Sequence, residues 1–213
     1  VQIVEADEGC LVRVAGAQPY AAPRVRAHRA HVGLEAVADK VVKSLEGLNV
    51  VCYYGCLLTR PPQVTESEHP ENPTDMDALM ASLGAEVHDW SYKTSCCGAS
   101  HSATRPDIVQ KLSGDLIRHA QEAGADAVAV ACPLCHMNLD ARQFQMGLDE
   151  PLPVLYFTQL MALALALVAE INRRGYQRGY EWAELSWTLE DNAPVTALIK
   201  MVGGAPLVIK LLE

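Results

Sequence analysis

Five cysteines stand in a pattern that reads as a ligand set. Cys56 is followed by thirty-nine residues, the adjacent pair Cys96-Cys97, thirty-four more residues, and then Cys132-Pro-Leu-Cys135. Thiolate sulfur is a soft donor that selects zinc or iron–sulfur clusters. The Cys-Pro-Leu-Cys turn opens a predicted helix, whose N-terminus favours negative charge and so is expected to lower the thiol pKa values. Adjacent cysteines usually direct their side chains apart, so both can serve one site only by binding different atoms of an extended group. Five thiolates also exceed the four of a tetrahedral zinc site, and that count favours a multi-iron cluster. Simpler readings stay open on the residues alone: a thioredoxin-like dithiol at Cys132 and Cys135, a structural zinc on four of the five, or inert buried thiols. The last suits Cys52, in the middle of an apolar run, and Cys10 carries no strong reading either way. His101 and His136, close to Cys97 and Cys135 in sequence, are candidate catalytic residues that could hand a proton to a leaving thiolate; the plainer reading of each is a surface histidine.

These side chains need elements to position them. From His31 to Leu45 apolar residues recur at helical spacing, and Gly47 ends the stretch. Leu48–Tyr54 is an apolar run of strand length with Cys56 just past it. The polar, Pro-rich stretch from Thr59 to Pro73 reads as a long loop. Thr74 then caps a helix in a capping-box-like arrangement with Asp77, its apolar face made by Met76, Leu79, Met80 and Leu83. Ala85–Trp90 alternates like a strand and leads into the Ser95-Cys96-Cys97-Gly98 loop, where Gly98 lets the backbone turn tightly. Pro106 opens a long helix closed by Gly124. Asp126–Ala131 is a buried strand running into Cys132, and Val154–Phe157 is a last strand before a helix from Thr158 to about Ile171. Strand and helix alternate four times, so the expected fold class is α/β, a mostly parallel four-stranded sheet with flanking helices. In such sheets the functional crevice lies beyond the carboxyl ends of the strands. Cys56, Cys96, Cys97 and Cys132 all follow strands, and Cys135 is one helical turn past Cys132, so the five converge on the C-terminal rim.

Composition narrows the class. The chain has 213 residues, half of them apolar, and a net charge of −9. That length suffices for one domain with a real core. The acidic balance, without a Lys/Arg run, argues against a nucleic-acid partner. Seven cysteines, two of them adjacent, do not form a disulfide framework, and no secretory leader is legible. The expectation is reduced thiols in a cytoplasmic protein. The apolar stretch 152–169 is about long enough to span a bilayer. Pro153, Thr158 and Gln159 interrupt it, so it reads as a strand followed by a core helix.

The cysteine pattern resembles the cysteine-rich CCG domain. More closely, Tyr54-Gly55-Cys56, His69-Pro-Glu-Asn-Pro73, Cys96-Cys97-Gly98, Ala131-Cys132-Pro-Leu-Cys-His136-Met-Asn-Leu139 and Pro153-Val-Leu-Tyr156 resemble the second half of the B subunit of heterodisulfide reductase, over roughly residues 31–166. The resemblance implies a noncubane 4Fe–4S cluster, in effect two fused smaller units, held by Cys56, Cys96, Cys97, Cys132 and Cys135. It implies reduction of a disulfide of the coenzyme M–coenzyme B type. A ferredoxin-like iron–sulfur subunit and a flavoprotein subunit would deliver the electrons, with no flavin or nucleotide in this chain. CCG domains also occur in complexes that oxidise succinate, glycolate, lactate or glycerol 3-phosphate, which leaves a non-catalytic relay or scaffold subunit as the alternative. The resulting division is an irregular segment 1–30, an iron–sulfur domain 31–171, and a tail 172–213 that docks on the domain or a partner. The family's B subunit carries two such cysteine sets, and one is found here.

Overall fold

The computed structural model describes residues 33–65, 67–148 and 150–165. The readings placed on 1–30, on Cys10 and on 172–213 lie outside them. Four strands, β1 (Asn49–Tyr53), β2 (Glu86–His88), β3 (Ala127–Val130) and β4 (Val154–Tyr156), form one sheet in the order β2-β1-β3-β4. Every pairing is parallel, with Val50 opposite Val87 and Ala127, Tyr53 opposite Val130, and Val130 opposite Tyr156. The expected architecture is therefore the observed one.

Helices cover both faces, which is why β1 and β3 read as unbroken apolar runs. Alternate residues of these strands point to opposite layers. Val50, Cys52, Ala127 and Ala129 pack under α1 (Leu34–Ala38), α3 (Asp75–Ser82) and α6 (Phe157–Ala164), against Val37, Met76, Leu79, Met80, Phe157 and Leu160. Val51, Tyr53, Val128 and Val130 pack under α4 (Pro106–Glu122) and α5 (Pro133–Asp140), against Leu116, Ile117, Ala120 and Leu139. Each fully buried valine contributes about 1.5–3 kcal/mol, so these two strands anchor the domain. Helices α3 and α4 stop in the same way: the N–H groups of Gly84 and Gly124 bond to the carbonyls of Ala81 and Gln121, and those of Ala85 and Ala125 to Met80 and Ala120. This Schellman pairing uses glycine at φ 92° and 79° and turns the chain straight into β2 and β3.

Three local expectations are corrected. Among the described residues the 31–45 helix is confined to α1, because the Val42 and Lys43 N–H groups bond to the Ala164 carbonyl and that of Leu45 to Leu83. The loop from Thr59 to Pro73 contains a short helix, α2 (Pro62–Thr65). Thr74 is the N-cap of α3, yet its side chain makes no capping bond. The Tyr54 hydroxyl does that work instead, accepting from the N–H groups of Met76 (2.8 Å) and Asp77 (3.2 Å) and donating to Asp77 Oδ2 at 2.5 Å. The Asp77 carboxylate is thereby committed to Tyr54 and to Lys93, not to a capping box. Within 152–165 the chain forms β4 and then α6, and no helix among the described residues is long and apolar enough to cross a membrane.

Candidate metal centre

The strand order reverses between β1 and β3, and that is where a crevice forms in an open parallel sheet. Cys56 leaves the sheet three residues beyond β1, and Cys132 two residues beyond β3, as the N-cap of α5. Cys96 and Cys97 arrive on the loop after β2. That loop is tied to the end of β1, because the N–H groups of Tyr54 and Gly55 donate to the Lys93 carbonyl at 2.8 and 3.0 Å. The Tyr53 hydroxyl fixes its next turn by donating to the Ser95 carbonyl at 2.6 Å. Gly55, at φ 68°, brings β1 close to α5: a Cβ there would lie 2.9 Å from Cys135 Sγ. A side chain would therefore push into the thiol, and glycine keeps the two segments in contact.

The adjacent pair splits. Cys97 is buried, with its Sγ 3.4 Å from Cys135 Sγ, and Cys135 is in turn hydrogen-bonded to Cys132. Cys96 is exposed and interacts with Cys56, while the Gly98 N–H donates to Cys96 Sγ at 3.3 Å. The thiols thus form two lobes, Cys97–Cys132–Cys135 and Cys56–Cys96, joined through one dipeptide. Tyr53 lies beside both: burial pushes its hydroxyl pKa well up, and the charges of Cys135, Cys97, Cys96 and Cys56 push it further. All five cysteines are free.

Hydrogen bonding sorts the thiols electrostatically. The Cys135 thiol holds the Cys132 pKa down at about 6, with help from the N–H groups of Cys135 and Leu134 at the start of α5. The Cys97 thiol comes down to about 7, chiefly through Cys135 and then Asn138, against the cost of burial. Cys135 goes the other way. Its hydrogen-bonded contacts with Cys132 and Cys97, and then its burial, raise its pKa, and the expectation of a lowered value across the whole Cys-Pro-Leu-Cys turn is corrected at this residue. Burial, then the charge of Cys96, also raises Cys56.

Cys52 is fully buried in the other layer, away from the rim. His136 is half-buried, with Nε2 3.0 Å from the Val154 carbonyl, so that ring nitrogen ties α5 to β4. Tyr156 does the same by donating to the Ala131 carbonyl at 2.6 Å, next to Cys132. His101 is exposed on the turn after Gly98. Several residues around the thiols carry no sequence signal of their own. Lys93 is buried beneath the loop, with Nζ 2.7 Å from Asp77 and 2.8 Å from Asp89. Burial works against its charge, but the two carboxylates outweigh it and hold its pKa above the usual value. Asn138 and Ser113, fully buried, contact the Cys97 sulfur and carbonyl. Asn138 had one legible sign: it lies three residues after Cys135, on the face that carries Leu139.

Residues 50–140 match the family described as Cysteine-rich domain, CCG. The chain is 33% identical over 141 residues to the 8-methylmenaquinol:fumarate reductase membrane anchor subunit of Wolinella succinogenes, covering 64% of this chain and 50% of that protein. It is 31% identical to the B subunit of the ferredoxin:CoB-CoM heterodisulfide reductase of Methanosarcina mazei, covering 62% and 46%. It is 29% identical to an Archaeoglobus profundus protein that is itself like the B subunit of heterodisulfide reductase, covering 65% and 49%. The chain spans about half the length of these relatives.

Proposed function

Because residues 50–140 carry a cysteine-rich domain of the CCG family, we propose that this chain is the iron–sulfur subunit of a heterodisulfide-reductase-like complex. In this reading Cys56, Cys96, Cys97, Cys132 and Cys135 hold a noncubane 4Fe–4S cluster, and a disulfide of the coenzyme M–coenzyme B type is reduced there. The observation that carries the reading is the split of the adjacent pair, Cys97 toward Cys135 and Cys96 toward Cys56. A two-lobed donor set suits an extended group of fused units. Five thiols also exceed the four ligands that a single tetrahedral ion takes. The donors themselves fit: soft sulfur, two of the thiols with pKa values near or below neutrality, and a bare Gly55 that leaves room at Cys135.

Such a cluster, when bound, supplies single electrons and an affinity for substrate sulfur. The protein's part is placement. Tyr53, the Lys93 carbonyl and Gly55 fix the Cys96-Cys97 loop and the β1 exit against α5, and the Tyr156 hydroxyl and His136 fix the start of α5 against β4. Cleaving one S–S bond takes two electrons and two protons and releases two thiols. The electrons come from a ferredoxin-like iron–sulfur subunit and, beyond it, a flavoprotein. His101, exposed beside the loop, is the candidate proton donor, since His136 is engaged with Val154. The setting proposed is the cytoplasm.

The test is anaerobic iron and sulfide analysis with electron paramagnetic resonance, with and without added disulfide. We expect about four irons and about four sulfides per chain, little zinc, and a spectrum altered by the disulfide. Alanine at any of the five cysteines should strip or convert the cluster, and Cys52→Ala should leave iron near wild type. Full iron and an unchanged spectrum in Cys96→Ala or Cys97→Ala would falsify the five-ligand assignment. A second reading is favoured by the likeness to a fumarate reductase subunit: a relay subunit of another redox complex, in which iron is present and the spectrum ignores the disulfide.

A further inference from the structure

Asn138 occupies a position that a helix built only for packing would give to leucine. It lies inside α5, is fully buried, and sits between Cys135 and Leu139 on the face turned to the core. A buried carboxamide is costly unless its polar atoms find partners. Both ends of this one do. Oδ1 accepts from the Ser102 hydroxyl at 3.1 Å, and Nδ2 donates to Cys97 Sγ at 3.8 Å, within hydrogen-bonding range for sulfur. With Oδ1 on the Ser102 hydroxyl, the amino group faces the sulfur, which as a thiolate can only accept, and Ser102 is itself held through its carbonyl by Arg142 Nη2 at 3.2 Å. From the other side, the Ser113 hydroxyl donates to the Cys97 carbonyl at 3.0 Å. Cys97 is the one thiol of the set addressed at both its sulfur and its backbone by buried polar side chains.

We propose that Asn138 is a positioning residue for the iron–sulfur group, whose amide N–H on Cys97 Sγ raises the group's reduction potential. The inference rests on the ligand reading above. A reduced cluster carries more negative charge on its sulfurs, so a fixed donor there favours the reduced form, and burial strengthens the effect. Asn138→Leu keeps the branched shape, at a larger volume, and removes the donor; Asn138→Gln keeps a donor on a longer arm.

The experiment is a redox titration of the full chain isolated anaerobically, followed by electron paramagnetic resonance, with iron and sulfide measured on the same samples. The inference expects wild-type iron in both variants. It also expects the reduced-to-oxidised ratio of Asn138→Leu at a fixed poise to fall about tenfold, or about 59 mV for a one-electron couple, with Asn138→Gln recovering most of it. Wild-type iron with a ratio within about twofold of wild type in Asn138→Leu overturns the donor role and leaves the ligand assignment standing. If Asn138→Leu loses iron, the glutamine variant decides. Iron retained at a near-wild-type potential supports a donor; iron lost there too assigns Asn138 to packing alone. A wild-type chain without iron overturns the ligand reading, and this inference with it.

Discussion

Gly55 offers a measurement of how tightly the β1 exit is pressed onto the thiols. In Gly55→Ala the new methyl group meets two obstacles. The backbone at φ 68° is left-handed, which costs an L-residue about 1–2 kcal/mol. The Cβ would also lie 2.9 Å from Cys135 Sγ. Cys135 is buried against Cys97, so the overlap has little room to relax and adds about 1–3 kcal/mol, as overpacked sites do. Gly47 is the internal control: it has φ 79° and nothing within 4 Å of a built Cβ, so Gly47→Ala carries the backbone cost alone. At about 2–4 °C per kcal/mol for a chain of this size, Gly55→Ala should melt about 10 °C below wild type and Gly47→Ala about 4 °C below. Thermal unfolding by circular dichroism under anaerobic conditions reads both, and iron content on the same samples should fall only in Gly55→Ala. Equal melting temperatures and full iron in the two variants would refute the claim that Gly55 is there to admit the Cys135 sulfur.

Two further predictions concern the network behind the rim. Tyr54→Phe removes the acceptor of the Met76 and Asp77 N–H groups and should cost about 1–3 kcal/mol, since buried donors are left without a partner; a melting temperature within 1 °C of wild type, about 0.3–0.5 kcal/mol on the same scale, would contradict it. Lys93→Met strands the mostly buried Asp77 carboxylate and should cost about 3 kcal/mol near neutrality. Because the folded-state pKa of Lys93 is raised, its contribution is complete below the unfolded lysine value and disappears as the pH climbs through the folded one. The stability gap between wild type and Lys93→Met should therefore narrow above about pH 10.5, and a gap that stays constant through pH 11 or widens would show that Lys93 does not act through its charge.

The sheet was legible because its signals are local and repeated. Short apolar runs beside glycine read as strands buried on both faces, and Cys56 and Cys132 follow two such runs closely. The pairing partners around the thiols were not legible, because each depends on contacts far along the chain. Tyr54 reads as the last residue of an apolar run, and only the fold brings its hydroxyl to the N-terminus of α3, where it displaces Thr74. Helical spacing from His31 onward promised a longer helix, but the backbone of Val42 and Lys43 is claimed by Ala164, more than a hundred residues away. Lys93 carries no signal in the sequence, and only the fold sets it between Asp77 and Asp89. The Cys-Pro-Leu-Cys turn told half of its chemistry. The helix start favours the Cys132 thiolate, whereas the contacts of Cys135 with Cys132 and Cys97, and its burial, raise its pKa.

The division of labour between sheet and rim follows from where the apolar residues end. Both hydrophobic layers close on the strands and helices themselves, with Val50, Val51, Val128 and Val130 fully or almost fully buried. The five thiols lie on the segments beyond β1, β2 and β3, with Cys132 as the N-cap of α5 and Cys135 on its first turn. Adjacent parallel strands in fixed register therefore set the spacing of Cys56 and Cys132, and the Lys93 carbonyl brings the Cys96-Cys97 loop to the β1 side of that gap. Five separately encoded cysteines thus reach one rim, with Cys97 and Cys135 buried in the α4–α5 layer of the core and Cys56, Cys96 and Cys132 more open to solvent. Cys52, one residue before the end of β1, shows the other case: the same side chain, turned into the α3 and α6 layer and packed as a small apolar group. What separates Cys52 from the five rim cysteines is that it lies within the strand and they lie beyond strand ends, and that difference is written in the spacing of the sequence.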